Sequence, residues 1–305
     1  MPSIKRAINY LLHNRTQFMD SCIKNLGFMI PDKLYLTLRY RCLMGSWINW
    51  EKPQTFTEKI QWLKLYNRKP EYTTMVDKYA VKNYVANIIG EEYIIPTLGV
   101  WDKPEDIDWD SLPNQFVLKT THGGGGGGVV ICRDKTTFNK EEAKSKLEAS
   151  MCGDIYKSLR EWPYKNVSKR IIAEKFMDPE KISASKELLD YKFFCFNGKV
   201  KFFKVDFGRF VEHHANYYSP EGELLEFGEQ GLEPDPNYPI ELPYNLSEMI
   251  SLAEKLSANE PFLRVDFYNF KGKIYFGELT FYPASGMLPW TSEDADVTIG
   301  EYISI

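Results

Sequence analysis

Alternating apolar and polar positions mark where this chain is extended and paired. In FVLKTTH-GGGGGG-VVIC, two apolar segments (116–118 and 129–131) flank six consecutive glycines, and their bulky or β-branched residues suit strands. SKRIIAEKFM adds a strand centred on 171–174. LLDYKFFCFNGKVKFFKVDFGRF alternates on both sides of Asn197-Gly198, a dipeptide that favours a two-residue hairpin turn. FLRVDFYNFKGKIYFGELTFYP does the same about Lys271-Gly272.

Helical spacing governs much of the rest. TFTEKIQWLKLYNR puts Phe56, Ile60, Leu63 and Tyr66 on one face, and Thr55-x-x-Glu58 matches a capping box. MVDKYAVKNYVANIIG reads as one helix stopped at Gly90. Residues 138–160 and the segment NLSEMISLAEKLSA also read as helical. Residues 102–115 form an acidic, turn-rich surface connection, and 219–245 a long Pro-, Gly- and Glu-rich loop. The fold class is α+β. Four parts are expected: a mostly helical region over 1–75, a linker helix and small α/β segment over 76–115, a lobe with the glycine loop over 116–177, and a lobe with the two later hairpins over 178–305.

The glycines carry the first chemistry. A hairpin tip without side chains lets backbone N–H groups approach an anion closely, and only glycine reaches all the φ/ψ values this requires. Lys119, on the incoming strand, adds a point charge for a phosphate. A linker would have the same composition, but linkers rarely sit inside a tight strand pair. A Walker loop would need Gly-Lys-Ser/Thr opening a helix, and Val129-Val130 stand there instead. A dinucleotide fold would need a helix after the glycines, where this chain has a strand.

Composition narrows the class of partner. The chain has 305 residues, 43% apolar and 26% charged, with a net charge of −4, which argues against a global basic field for nucleic acid. Five scattered cysteines, with no Cys-x-x-Cys pair, argue against a disulfide framework or zinc site and for a reducing cytoplasm. No run has the length of a membrane span. The segment MPSIKRAINYLLHNR lacks a signal-peptide core; it reads as an amphipathic segment packed on the protein body or lying on a membrane.

The last hairpin carries the second chemistry. Arg264 and Asp266 are two apart and share a strand face, and Glu278 faces them from the returning strand if the turn centres on Lys271-Gly272. Two carboxylates beside an arginine suit Mg²⁺, which takes one or two carboxylates plus phosphate oxygens. A solvated surface salt bridge is the alternative reading.

In their order along the chain these pieces resemble the ATP-grasp superfamily. They are Asp77-Lys78, Lys119 with the glycine run, AEKFM, Arg264-Val265-Asp266 and Glu278-Leu279-Thr280. More narrowly, PQTFTEKIQWLKLY, VDKYAVKNYV, NQFVLKTTHGGGG, DYKFFCFNGKV and RVDFYNFKGKIYFGELTFYPASG resemble the TupA-like ATP-grasp proteins of bacterial surface-polysaccharide gene clusters, over most of 50–290. The resemblance implies an ATP-grasp fold, two α+β lobes gripping ATP, after a helical N-terminal region. It implies ATP and Mg²⁺ as cofactors. Lys78 and Lys119 would neutralise phosphates under a lid of Gly123, Gly124, Gly125 and Gly126. Glu174, Lys175, Phe176 and Met177 would read the adenine edge. Asp190, ahead of Glu187, would take the ribose, and Lys192 a phosphate or an anionic sugar. Asp266 and Glu278 would hold Mg²⁺, with Thr280 where the family has asparagine. Arg264 would stabilise the reacting oxyanion.

The implied activity is an ADP-forming carboxylate–amine ligase working through an acyl phosphate. Its small-molecule substrates would be an amino acid and an amino sugar, uronic acid or nucleotide sugar of capsule or O-antigen synthesis. Candidate substrate residues are Arg209, Ser285 and Gly286, with His122 either there or a structural hydrogen-bonder. His213-His214 line a cleft or sit on a surface loop. The rival is a glycosyltransferase, whose Asp-x-Asp pair would have to be Asp294-x-Asp296 or Asp108-x-Asp110, both in turn-like segments.

Overall fold

The computed structural model describes residues 15–124, 127–178, 188–208, 213–232, 234–238 and 240–305. Two antiparallel sheets organise them. The first has the order β1-β4-β2-β3, from β1 (Thr97–Trp101), β2 (Phe116–Thr120), β3 (Val129–Cys132) and β4 (Ile171–Lys175). Phe116, Leu118, Cys132, Ile171 and Ala173 turn to one face, where Ala143 and Leu147 of the helix Lys140–Met151 cover them.

The second sheet has the order β7-β6-β5-β8-β9, from β5 (Asp190–Phe196), β6 (Lys199–Phe207), β7 (His214–Tyr218), β8 (Phe262–Phe270) and β9 (Lys273–Thr280). Both expected hairpin turns form. Asn197 and Gly198 have φ of 49° and 75°, and Lys271 and Gly272 have 55° and 78°. Such left-handed pairs match the twist of the strands they join. Period-2 alternation then divides this sheet. Tyr191, Phe193, Cys195, Val265 and Phe267 belong to the face covered by the helix Leu246–Ser257. On the other face, Phe194, Phe196, Phe202 and Phe262 meet Phe56 and Trp290 at one end. The other end of that face is charged: Asp190, Lys192, Lys204, Asp206, Arg264, Asp266 and Glu278.

The helix Phe56–Tyr66 begins with the expected capping box, Thr55 and Glu58 exchanging side-chain and backbone bonds. The C-terminal helix Glu293–Glu301 docks on it. Thr57 gives its N–H (3.0 Å) and hydroxyl (2.6 Å) to Asp296, and Lys59 bonds the carbonyls of Gly300 and Ile303. This corrects the turn-like reading of Asp294-x-Asp296: Ser292 caps a helix there, and acidic residues favour a first turn.

A second correction falls at 75–90. The periodicity predicts one helix there, but Met75 and Val76 end the helix Glu71–Val76, and Ala80–Ile89 is a separate one. Asp77 leaves the helical region at ψ 112°, and its Oδ1 accepts the N–H groups of Tyr79 and Ala80, so the second helix starts afresh. The 138–160 stretch likewise splits into Lys140–Met151 and Ile155–Leu159, the latter capped by Asp154. No described helix is long and apolar enough to cross a membrane.

Candidate active site

The break at Asp77 presents Lys78 to both lobes. The Lys78 N–H bonds the Thr121 carbonyl just past β2 (3.0 Å), and Arg170 anchors Asp77 at 2.8 Å. From there the Lys78 Nζ reaches to 3.6 Å from Glu278 Oε2 on β9. Residues of the first sheet, the linker and the second sheet thus converge on one cleft.

On the first sheet, Lys119 and Glu174 lie on neighbouring strands, and Lys119 Nζ is 2.6 Å from Glu174 Oε2. The other Glu174 oxygen is 2.5 Å from Lys82 Nζ, which also bonds the Ile95 carbonyl. Burial pushes the Glu174 carboxyl up, but Lys119 and then Lys82 outweigh it and hold it down at about 2. At Lys82 burial wins and lowers the ammonium; at Lys119 the carboxylate wins over burial and raises it. The Glu174 side chain therefore faces lysines, and the Lys175 N–H is taken by the Pro96 carbonyl at 3.0 Å. Phe176 and Met177 follow the end of the strand, with Arg133 over the Phe176 ring.

The described glycines of the loop correct one expectation. None of Gly123, Gly124, Gly127 and Gly128 has a left-handed φ. Two are required by packing instead. A Cβ on Gly123 would lie 2.4 Å from Thr120 Oγ1, and one on Gly128 2.3 Å from Ser150 Oγ. Among the described residues, a Cβ on Gly127 would meet nothing within 4 Å. The described loop residues and Ser150 border a cavity of ≈ 380 Å³. His122 is buried, its Nε2 3.3 Å from the Ser150 carbonyl and its Nδ1 without a hydrogen-bond partner among the described residues, and burial lowers its pKa. Gly125, Gly126, Glu187 and Arg209 lie outside the described residues.

On the second sheet, Asp266 pairs with Glu278 across β8 and β9, and with Lys192 across β8 and β5. Arg264 holds Asp266 in a bidentate grip (2.6 and 2.7 Å) and Glu278 Oε1 at 2.8 Å. Burial, reinforced by Asp190 and Glu278, pushes the Asp266 carboxyl up to about 7 despite Arg264. Burial also works against the Glu278 charge, but Lys78 and Arg264 outweigh it and hold that carboxyl at about 2. The Glu278 side chain is 41% exposed, so its free edge opens to the cleft. Thr280 donates to Glu278 Oε1 at 3.2 Å, which spends its hydroxyl on orienting that carboxylate. Two facing carboxylates whose mutual repulsion is only partly relieved by one arginine form an oxygen donor set that fits Mg²⁺.

Lys192 bonds Asp190 at 2.7 Å and also Asp206, a residue the sequence reading passed over. Burial lowers the Lys192 ammonium, but Asp190, Asp266 and Asp206 together raise it. Its spacing to Asp190 was visible. The partner of Glu174 was not, because it comes from another element.

Ser285 and Gly286 line the cleft differently than expected. Ala284, Ser285 and Gly286 have consecutive φ values of 46°, 58° and 59°, a strained path held from below by the helix Phe56–Tyr66. Gln61 bonds both the Ser285 and Gly286 carbonyls, and the fully buried Lys64 bonds the Ser285 carbonyl (2.7 Å) and hydroxyl (2.6 Å). The Ser285 N–H bonds the Tyr282 carbonyl. The Ser285 hydroxyl and N–H are thus engaged within the protein. The rival Asp-x-Asp pairs are also committed: Asp296 to Thr57, and Asp108 to the N–H groups of Asp110 and Ser111 in a surface turn.

Two lobes, a glycine hairpin over a lysine strand and a carboxylate pair on the facing sheet together define an ATP-grasp protein. The sequence model of the TupA-like ATPgrasp family matches residues 58–304, and the chain belongs to that family. No curated protein matches it. Among solved structures it is similar to the D-alanine–D-alanine ligase from Helicobacter pylori, at 14% identity and TM-score 0.41, covering 76% of this chain and 64% of that one. The D-alanyl-alanine synthetase A from Vibrio cholerae O1 biovar eltor is similar at 14% identity and TM-score 0.47, covering 81% and 70%. The Bacillus anthracis D-alanine–D-alanine ligase complexed with ATP is similar at 20% identity and TM-score 0.39, covering 68% and 54%. The chain thus spans less than two thirds of the length of the Helicobacter and Bacillus proteins.

Proposed function

We propose that this protein is an ADP-forming carboxylate–amine ligase, joining two small molecules through an acyl phosphate. The observation that carries the reading is the Lys78–Glu278 contact, which brings the phosphate lysines of one lobe to the carboxylate pair of the other. In this reading Lys78 and Lys119 neutralise the phosphates of ATP, Glu174 keeps Lys119 aimed and charged, and Lys82 holds the other oxygen of Glu174. The backbone at Phe176 and Met177 meets the adenine edge, and Asp190 the ribose. The glycine hairpin closes over the phosphates and keeps water from the acyl phosphate. Mg²⁺ held by Asp266 and Glu278 would neutralise charge on the transferred phosphoryl group. Arg264 stabilises the oxyanion that forms at the carboxyl carbon, and Lys192 offers its ammonium to the γ-phosphate. Positioning and charge neutralisation do most of the work in such a transfer.

The family resemblance supports the finer reading of an amino acid joined to an amino sugar or uronic acid for a surface polysaccharide, in the cytoplasm. ADP release with Mg-ATP, measured over amino acids paired with amino sugars or uronic acids and checked by mass, tests it. ADP that requires both partners, with a product one water lighter than their sum, is expected. ATP binding with no ADP from any pair would count against the ligase.

A further inference from the structure

The first described helices carry their polarity inside out. In the helix Arg15–Asn25, Asp20 is buried and bonds Arg39 of the helix Asp32–Met44 at 2.6 Å. The opposite side, Phe18 and Leu26 with Met19 beside them, is roughly half exposed. A surface helix of a soluble protein normally turns its apolar stripe inward. Between the two helices comes a 3₁₀ turn, Gly27–Met29, in which Phe28 is 82% and Met29 70% exposed. Among the described residues, seven of the sixteen large apolar side chains left exposed lie between 18 and 47. Single exposed apolar residues are ordinary, but such a concentration marks a docking surface.

The turn is fastened so that its side chains project. Gly27 packs so closely on Tyr35 that a Cβ there would lie 2.8 Å from the Tyr35 ring. Arg160 stacks 4.1 Å from the centre of the same ring and donates to the Gly27 carbonyl. The Met29 and Ile30 N–H groups bond the Leu26 and Gly27 carbonyls at 3.0 and 3.1 Å. Turning Phe28 inward would break these contacts.

Charge identifies what covers the surface. Residues 1–50 hold seven Lys and Arg against Asp20 and Asp32, a formal +5 within a chain of −4. Both acids are occupied: Asp20 by Arg39 and Lys24, Asp32 by Arg68 and Arg160 at 2.9 and 3.0 Å. Over 15–50 the exposed charged residues are Arg15, Lys24, Lys33 and Arg41, all cations. Lys33 lies over the Trp50 ring and Arg41 over the exposed Trp47. Projecting apolar side chains interspersed with cations suit the boundary of an anionic bilayer, where headgroups meet the cations and the apolar groups enter the acyl region. A protein partner would need a pocket shaped to Phe28 and Met29; a bilayer takes them without one.

We propose that this surface docks the protein on an anionic lipid bilayer, with Phe28 and Met29 inserted and the neighbouring cations on the headgroups. Ligase chemistry plays no part in the docking. The full chain is floated with vesicles of equal parts phosphatidylglycerol and phosphatidylcholine, and with vesicles of phosphatidylcholine alone. Binding to the anionic vesicles is expected, falling as salt is raised and about tenfold or more weaker on the neutral ones. The double variant Phe28→Ser, Met29→Ser is expected to keep the wild-type melting temperature and to bind about tenfold or more weakly, because inserted side chains of this size are lost. Arg15→Gln with Lys33→Gln should weaken binding by about fivefold per cation and flatten its salt dependence. No binding of the wild type to anionic vesicles overturns the proposal. So does equal binding to neutral vesicles, or equal binding by the serine variant, which would place the contact elsewhere in the chain. Sedimentation equilibrium without lipid is expected to give the same mass for wild type and serine variant. A wild-type dimer that the serine variant dissociates would assign the face to a second copy of the chain and overturn the proposal as well.

Discussion

Glu174→Gln removes the one carboxylate that Lys82 and Lys119 share, at 2.5 and 2.6 Å in the buried face of the cleft. Two costs follow. A carboxyl held at about 2, against 4.5 when unfolded, contributes about 3 kcal/mol of stability at pH 7. The variant also leaves Lys82, 10% exposed, without its anion. Removing one partner from a buried pair costs roughly 3–5 kcal/mol in total. Because the folded pKa is depressed, the wild-type contribution is present above pH 4.5 and lost as pH falls towards 2. The gap between wild type and variant should then shrink by about 1–2 kcal/mol between pH 7 and pH 3. Urea unfolding at both pH values reads this as a midpoint shift of roughly 1 M at pH 7. ATP affinity should fall as well, since Lys119 loses its anchor. A variant within about 0.5 kcal/mol of wild type at pH 7, the range of a neutral surface change, would refute the reasoning.

Further perturbations probe other parts. Asp266→Asn should abolish the Mg²⁺-dependent rise in melting temperature with ATP; a rise equal to that of wild type would remove Asp266 from the metal site. Gly286→Ala would place a Cβ 2.3 Å from Ile60 Cγ2 at a φ of +59° and should cost about 2–4 kcal/mol by overpacking and strain. An unchanged urea midpoint would contradict that. Thr55→Ala breaks the capping box and should cost about 1 kcal/mol in the same assay.

Much of the second lobe was legible because its turns are local. Asn197-Gly198 and Lys271-Gly272 set the pairing next to each turn, but the second turn alone would put Gly277 opposite Asp266; a bulge between Asp266 and Phe267 brings Glu278 there instead, beside Arg264 and Asp266. The glycine run was legible as a feature but not in its cause, since the need at Gly123 and Gly128 comes from Thr120 at the end of β2 and from Ser150 of the helix Lys140–Met151. The break between Asp77 and Ala80 was hidden: no glycine or proline marks it, and it is decided by Asp77 capping and by the Lys78–Thr121 bond. The same limit hid Lys82 as a partner of Glu174, His213 as a partner of Asp206, and Asp296 as a partner of Thr57 across 239 residues. Spacing predicts which residues share a face; it does not say which element packs against it.

The central claim is acyl-phosphate chemistry, and oxygen transfer tests it most directly. Amino acids labelled with ¹⁸O in the carboxylate are supplied with amino sugars, and labelled uronic acids with amino acids, each with Mg-ATP. One ¹⁸O in the released phosphate, in step with ADP, is the predicted result for one of the two series. ADP accompanied only by unlabelled phosphate in both series would contradict the account.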